Sequence, residues 1–325
     1  MPPAQCITIT EDKVKAHLDE EKAFVLAKKV FKLISQKRTG MPPKIYLELP
    51  YAPGSDFRAM PAWVGRKRGG ACGVKWVSVF PHNWRLGLPT VNATIFLNSP
   101  VTGRLLAILE GNTITALRTA AASAVASVAM ANPRAAKLAV VGAGLQAEYQ
   151  IKALAAQFRF DEIGVWGYKH GEAQRLCKRF SGKFKNIKPH SEVKDCVEAA
   201  DLIVTCTPSR RPLLKKSWVK KGAHINAIGA DAPGKEELDP ALLCDATVVV
   251  DEWEQASHSG EINVPVSKKL FSKRDLYAEL AEIVSGRKTG RPREGVTTIF
   301  DSTGLAILDI YFAKYVYDSI AHRHF

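Results

Sequence analysis

The sequence predicts an α/β protein: a doubly wound parallel sheet joined to a discontinuous α+β domain. Three observations carry this. From Lys137 onward, apolar strand-like runs alternate with helical segments. Before that point, strand-like runs follow one another with no helix between them. The length of 325 residues is about twice the ~150 of a common domain. Hydrophobic residues make up 46% and charged residues 24%, with mean hydropathy −0.09, a composition that excludes a disordered chain.

A short strand at Cys6 to Thr10 opens the chain. Helical periodicity runs from Glu21 to Gln36, with Phe24, Val25, Ala27, Val30, Phe31 and Ile34 on one stripe. Strand-like segments follow at Lys44 to Leu49, Phe57 to Val64, Gly73 to Phe80, Thr90 to Leu97 and Arg104 to Leu109. Turns such as Ala52-Pro53-Gly54 and Ser99-Pro100 separate them, and strands in series predict an antiparallel sheet or barrel-like layer. The texture changes at Ile114. Seven alanines between positions 120 and 131 make a helix with a thin, smooth surface, suited to close packing and to bridging two domains. The alternating strands are Leu138 to Val141, Ile163 to Tyr168, Leu202 to Thr207, His224 to Gly229, Thr247 to Val250 and Thr297 to Phe300. The last helix, Gly304 to Ile320, carries Leu305, Leu308, Ile310, Tyr311, Ala313, Val316 and Tyr317, and is expected to return to the first domain. That makes residues 1–113 with 304–325 one domain and 114–303 the other.

Lys and Arg number 46 against 32 Asp and Glu, a net charge of +14 with a pI near 9.5. Such a surplus suits a polyanion partner or an enzyme of anionic substrates. The basic clusters, Arg175 to Lys188 and Arg210-Arg211 to Lys221, sit at helix spacing and interleave only Phe180, Phe184 and Trp218. They read as solvated faces, so nucleic-acid binding is not expected. Six cysteines without a CxxC pair or metal-like spacing predict reduced thiols and no metal site. Met1 to Glu20 is too polar for a signal peptide, and no apolar run approaches the ~20 residues that span a bilayer. The expectation is a cytoplasmic protein away from membranes.

The strongest local signal is Lys137-Leu-Ala-Val-Val141 followed by Gly142-Ala143-Gly144-Leu145-Gln146-Ala147 and a helix to about Phe158. This is GxGxxA between a strand and a helix, the setting of a Rossmann-type dinucleotide site. The first glycine permits the tight turn, the second lets the backbone approach a pyrophosphate, and Ala147 allows close helix packing. A site for NAD places Asp or Glu at the end of the second strand, on the ribose 2′-hydroxyl. Here that strand ends Val165-Trp166-Gly167-Tyr168-Lys169-His170, with no acid before Glu172. Gly167 leaves room, and Lys169 with Tyr168 or His170 would meet a 2′-phosphate, so NADP(H) is favoured and NAD(H) remains open.

Three residues are chemically odd for their positions. Lys75 stands inside Gly73-Val74-Lys75-Trp76-Val77, where strand alternation sets it opposite Val74 and Trp76. It is either a lysine on an apolar wall, able to donate a proton or polarise a carbonyl or imine, or a snorkelling surface lysine. Arg118 opens the alanine-rich helix and suits a carboxylate or a surface salt bridge. Asp231 follows the strand His224 to Gly229, and is either a proton shuttle at the sheet's carboxyl edge or a turn residue. Asp301-Ser302-Thr303-Gly304 reads most simply as the N-cap of the last helix, whose free amides would line a ligand site.

Together these stretches resemble the ornithine cyclodeaminase/mu-crystallin family, and within it the archaeal-type alanine dehydrogenases. The resemblance rests on Met41-Pro-Pro-Lys-Ile-Tyr-Leu-Glu48, Phe57-Arg-Ala-Met-Pro-Ala62, Gly73-Val-Lys-Trp76, Gly87-Leu-Pro-Thr90, Leu117-Arg-Thr-Ala-Ala121 and Gly142-Ala-Gly-Leu-Gln-Ala147. It continues through Thr207-Pro-Ser209, Gly222 to Asp231, Gly260-Glu-Ile-Asn-Val264 and Phe300-Asp-Ser-Thr-Gly-Leu-Ala306, nearly the whole chain. It implies a homodimer whose substrate domains (1–113, 304–325) pair their sheets, and a nucleotide domain (114–303) over a shared cleft. Carried across, Lys44, Arg58, Lys75 and Arg118 look like the substrate-carboxylate and acid/base group, with Thr303 and Gly304 beside the substrate. Asp231 looks like the proton-relay carboxylate. Arg118, Thr119, Gly142, Ala143, Gly144, Leu145, Gln146, Trp166, Lys169, Thr207, Gly229 and Asp231 look like cofactor contacts. Gly167 departs from the pattern, since those dehydrogenases usually carry the ribose-binding acid there. The implied activity is NAD(P)H-dependent reduction of a small 2-imino acid to a 2-amino acid, either pyruvate plus ammonia to alanine or a cyclic imino acid such as pyrroline-2-carboxylate. The rivals are redox-neutral ornithine cyclodeamination and a mu-crystallin-like, cofactor-dependent binding protein.

Overall fold

The computed structural model describes residues 6–66 and 69–321. Two compact units divide the chain: Met1–Arg118 with Leu305–Phe325, and Thr119–Gly304. The first break falls inside a helix, about one turn beyond residue 113.

The first unit contains β1 (Ile7–Ile9), α1 (Glu11–His17), α2 (Glu20–Ser35), β2 (Thr39–Gly40), β3 (Ile45–Glu48), β4 (Asp56–Val64), β5 (Ala71–Val79), β6 (Val91–Asn98) and β7 (Leu105–Glu110). The start of α3 (Asn112–Met130) and the C-terminal helix (Ala306–Ala321) complete it. Its seven-stranded sheet runs β1-β7-β6-β5-β4-β2, with β3 also on β4. The series β4 to β7 is antiparallel as the sequence predicts, but β1 joins β7 in parallel, a long-range pairing that no hairpin signal announces. Asp19 caps α2 by accepting from Lys22 N at 2.8 Å. The buried face of α2 is Ala23, Leu26, Ala27, Val30, Phe31 and Leu33, so the expected stripe is corrected: Val25 is 63% exposed. Two positions from Ala27 is about 200° around the helix, which turns Val25 away from the core.

Alternation gives the sheet two faces. Arg58, Met60, Ala62 and Val64 on β4, with Ala71, Lys75 and Val77 on β5, point inward, and the C-terminal helix packs over β4, β5 and β6. Outward stand rows in register: Ile45, Ala59 and Trp76; Leu47, Phe57 and Ser78; Pro61, Val74, Phe96 and Ile108. Phe57 stacks on Trp76 with ring centroids 5.4 Å apart. This outer face is apolar and largely open, with Ile45, Leu47, Trp63 and Trp76 exposed.

The second unit takes the rest of α3, then β8 (Lys137–Val141), α4 (Leu145–Ala155), β9 (Glu162–Trp166), α5 (Glu172–Phe180), β10 (Ile187–His190), α6 (Val193–Val197), β11 (Leu202–Thr205) and β12 (Arg210–Leu214). It continues with β13 (His224–Ala227), β14 (Glu236–Leu238), α7 (Pro240–Asp245), β15 (Thr247–Val250), α8 (Trp253–Ser259), α9 (Asn263–Ser267), β16 (Ala278–Glu279), α10 (Leu280–Val284) and β17 (Thr298–Asp301). The eight-stranded sheet is wholly parallel, ordered β10-β9-β8-β11-β13-β17-β15-β16. The chain winds from β8 out to β10 on one side and from β11 through β13 to β15 and β16 on the other, with β17 returning between β13 and β15, so the switch point lies between β8 and β11, where open α/β sheets bind ligands. Strands β11, β13 and β15 are buried at every residue, as a sheet covered on both faces requires. A two-stranded parallel sheet, β12 with β14, stands apart.

Two expectations need correction here. The α3 segment is long and apolar enough to cross a membrane, although 83% of that window is buried inside the protein, as a core helix would be. The basic clusters are not purely helical, since Arg210 and Arg211 lie on β12 and Lys188 on β10. Several of their cations pair: Lys188 with Glu162 at 3.0 Å, Arg179 with Glu148 at 2.9 Å, and Lys220 with Asp201.

Candidate active site

In the first unit, Lys75 lies on the inward face of β5, paired in register with apolar Met60 and Ile95, and is 1% exposed. A surface lysine is therefore excluded. Its Nζ is 2.7 Å from Asp309 Oδ2 and 3.4 Å from Thr115 Oγ1. Asp309, on the C-terminal helix and 0% exposed, uses Oδ1 to accept from Arg118 Nε at 2.9 Å. Arg118 lies in the second turn of α3 rather than at its start, because the helix begins at Asn112. Burial pushes Lys75 down to about 7; the Arg118 charge adds to this, Asp309 opposes it, and Lys44 lowers it further. An amine poised near neutrality both gives and takes protons at working pH.

Arg58 is buried on β4. Its guanidinium already grips Asp56, Nε to Oδ1 at 2.6 Å and Nη2 to Oδ2 at 3.1 Å, and lies 5.3 Å from the Tyr46 ring centroid. Lys44 precedes β3, half-buried. Of the four cations expected to gather, Lys75 and Arg118 share a carboxylate, while Arg58 has its own acid.

In the second unit, Gly142, Ala143 and Gly144 form the turn from β8 to α4 at the switch point. Gly142 has φ +125°, and a Cβ there would come within 2.8 Å of Cys206 O, so only glycine fits. A Cβ on Gly144 would meet nothing within 4 Å, leaving the N-terminus of α4 open to a pyrophosphate. Leu145 and Gln146 open that helix. Trp166 ends β9 and donates from Nε1 to Ser191 O at 3.1 Å.

The room expected at Gly167 is absent. A Cβ there would sit 3.0 Å from Glu172 Cβ and 3.1 Å from Ala143 Cβ, so glycine is needed for close packing of the turn. Glu172 itself supplies an acid at this turn, Oε2 accepting from Lys169 N at 3.1 Å.

Thr207 follows β11 and donates from N and Oγ1 to Glu237 Oε1 at 2.6 and 2.7 Å, while Gly229 N donates to Oε2 at 2.9 Å. One carboxylate thus ties together two loops at the sheet's carboxyl edge. Burial pushes Glu237 up, and Glu261 behind it is raised well above the usual range by burial and then by the Glu237 charge. Asp231, beyond β13, pairs with Lys235 at 2.6 Å and remains half-exposed. Thr119 takes its place in α3, where its carbonyl accepts from Ser123.

Thr303 and Gly304 correct the capping expectation. Their amides donate to Asp251 Oδ2 at 2.7 and 3.0 Å and are not open to a ligand. Asp301 ends β17, where its Oδ2 accepts from Ile262 N at 3.2 Å rather than capping the last helix, which starts at Ala306. Sequence reasoning also missed Asp309, Glu237 and Asp251. Asp309 carried a readable signal, lying on the stripe of Leu305, Leu308, Phe312 and Val316, where an acid is out of place. Among the described residues, no group of three or more His, Cys, Asp or Glu is placed to hold a metal ion.

A doubly wound sheet with a glycine turn at its switch point, and a separate unit burying a lysine beside an arginine, defines a two-unit protein of dinucleotide-binding fold. The chain belongs to the ornithine cyclodeaminase/mu-crystallin family, whose model matches residues 7–324. It is 40% identical to an alanine dehydrogenase of Archaeoglobus fulgidus over 98% of this chain and 97% of the relative. Among solved structures it is similar to an archaeal alanine dehydrogenase dimer with bound NAD: TM-score 0.92, 38% identity, covering 98% and 97% of the two chains. It is also similar to the Delta(1)-pyrroline-2-carboxylate reductase of Thermococcus litoralis in complex with NADH and L-proline, with TM-score 0.93, 29% identity and 98% of each chain covered.

Proposed function

We propose that the protein is a nicotinamide-dependent oxidoreductase that reduces a small 2-imino acid to the 2-amino acid, with alanine formation from pyruvate and ammonia as the leading reaction. The observation that carries this is Lys75, buried, poised near pH 7 and sharing Asp309 with Arg118. Arg118 binds the substrate carboxylate, with Lys44 and the Asp56-held Arg58 adding positive field. Lys75 polarises the carbonyl or imine and hands a proton to the developing amine. Asp231 relays protons, and Lys235, 2.6 Å away, orients it. The nicotinamide, when bound, supplies the hydride. The Gly142 to Gln146 turn, Thr119, Trp166, Thr207 and Gly229 are its contacts in this reading.

The ribose end is read as accepting either form of the cofactor. Lys169 supplies charge for a 2′-phosphate, while Glu172 favours the hydroxyl of NAD(H). The apolar outer face of the first sheet supports a homodimer, since Trp76, Phe57 and their rows suit a second copy. Six free cysteines support work in a reducing compartment, the cytoplasm in this reading.

The deciding experiment is a substrate panel with NADH and NADPH: pyruvate plus ammonia, pyrroline-2-carboxylate and piperideine-2-carboxylate. Oxidation of the cofactor with one of these is expected. Ammonia released from ornithine with no net absorbance change would establish cyclodeamination instead, and silence across the panel would remove the enzymatic reading.

A further inference from the structure

We propose that Asp309 is a positioning residue that fixes the ammonium of Lys75 and the guanidinium of Arg118 and keeps Lys75 able to hold its proton at working pH. This deepens the imine-reductase reading and rests on it. The geometry is specific: Asp309 Oδ2 lies 2.7 Å from Lys75 Nζ, and Oδ1 accepts from Arg118 Nε at 2.9 Å. One carboxylate therefore sets the spacing between the proton donor and the carboxylate anchor.

The surroundings show why an anion is needed. Lys75 faces Met60 from β4 and Ile95 from β6, both apolar. From α3 it meets Arg118 and the uncharged Thr115, from the C-terminal helix Asp309, and from the segment before β3 the charge of Lys44. Two of these charges and the burial itself disfavour a protonated lysine, and Asp309 alone favours it. Without Asp309, a buried amine beside a guanidinium would be neutral at pH 7 and unable to donate.

Lys75 has a folded pKa of about 7 against an ordinary 10.5, so the unfolded chain binds more protons between those values and stability rises with pH across that window. Removing Asp309 lowers the folded value further and extends the window downward. The Tm gap between wild type and an Asp309→Asn variant is therefore widest near pH 5 and narrows as pH rises to about 8. A purely structural role for Asp309 gives a gap that does not change with pH.

The test measures Tm and, in the reductive direction, kcat/KM from pH 5 to 9 for wild type, Asp309→Asn, Asp309→Ser and Asp309→Glu, with NADH fluorescence confirming that the cofactor unit is intact. In the Asn and Ser variants the pH of half-maximal rate is expected to move down by about one unit or more, with a raised substrate KM. The Glu variant, which keeps the charge, is expected to restore the limb. An unmoved limb with a pH-independent Tm gap would overturn the proposal. If wild type turns over nothing, the functional reading fails, and the Tm gap alone then decides the role of Asp309: narrowing supports it and constancy overturns it. Should the Asn variant not fold, the smaller Ser substitution carries the same two readouts.

Discussion

In the proposed reaction Lys75 is the proton donor, and its charge state is expected to set the pH dependence. Reduction uses the protonated amine, so the reductive rate is expected to fall as pH rises past about 7, while amino-acid oxidation, which uses the neutral amine, rises through the same value. Opposite limbs in the two directions, read from kcat/KM profiles, check this; parallel limbs would assign the proton to another group. Lys75→Ala is expected to cut turnover by about 10²- to 10⁴-fold with NADH binding retained. Lys75 was legible in the sequence because a lysine interrupts an apolar strand. Asp309 showed only as an acid on an apolar stripe; its pairing was not legible, because its partners come from a strand and a helix far away in sequence, and no local pattern encodes that meeting. Asp301 misled for the opposite reason: Asp-Ser-Thr-Gly before a helix is a good capping sequence, but the carboxylate that takes those amides is Asp251, fifty residues upstream.

At the scale of an element, the turn between β9 and α5 is the proposed determinant of the cofactor form. Gly167 is held close to Ala143 and Glu172, and the Glu172 carboxylate caps the Lys169 amide. Lys169→Ala is expected to weaken NADPH more than NADH, by about fivefold, the size of a partly exposed charge contact of ~1 kcal/mol. Glu172→Gln is expected to shift the ratio the other way. Equal effects on both forms in fluorescence titrations would leave the choice to other residues. The buried strands of the second sheet were legible as apolar runs, and the glycine turn as a motif. Strands β10, β12 and β14 were not, since sequences such as Ile-Lys-Pro-His and Arg-Arg-Pro-Leu-Leu lack alternation and gain their pairing from neighbours. The rotated face of α2 shows the same limit: apolar residues mark a helix, but the core chooses which of them to bury.

For the whole molecule, the net charge of +14 is balanced locally in the second unit, where Arg179, Lys188 and Lys220 pair with Glu148, Glu162 and Asp201. The outer sheet face carries the larger consequence. Trp76→Asp places a charge in the middle of its apolar rows, and sedimentation at micromolar concentration is expected to shift from dimer to monomer. An unchanged dimer would place the interface elsewhere. The overall fold class and the family were legible because alternation and motifs run nearly the length of the chain. The parallel join of β1 to β7 was not, because it links segments about a hundred residues apart.

The helix Ala306–Ala321 is made after every other element described, yet it supplies the only carboxylate bonded to Arg118 among the described residues, from 191 residues further along the chain. At about 5–20 residues per second, a ribosome takes on the order of 10–40 s to cover that interval. Throughout that time the nascent sheet carries a lysine and an arginine without their counter-ion, and its inner face lacks the helix that will cover it. The first unit cannot complete its fold until Ala306–Ala321 has emerged. For that interval its sheet presents the uncovered apolar face and strand edges that favour aggregation in a nascent chain.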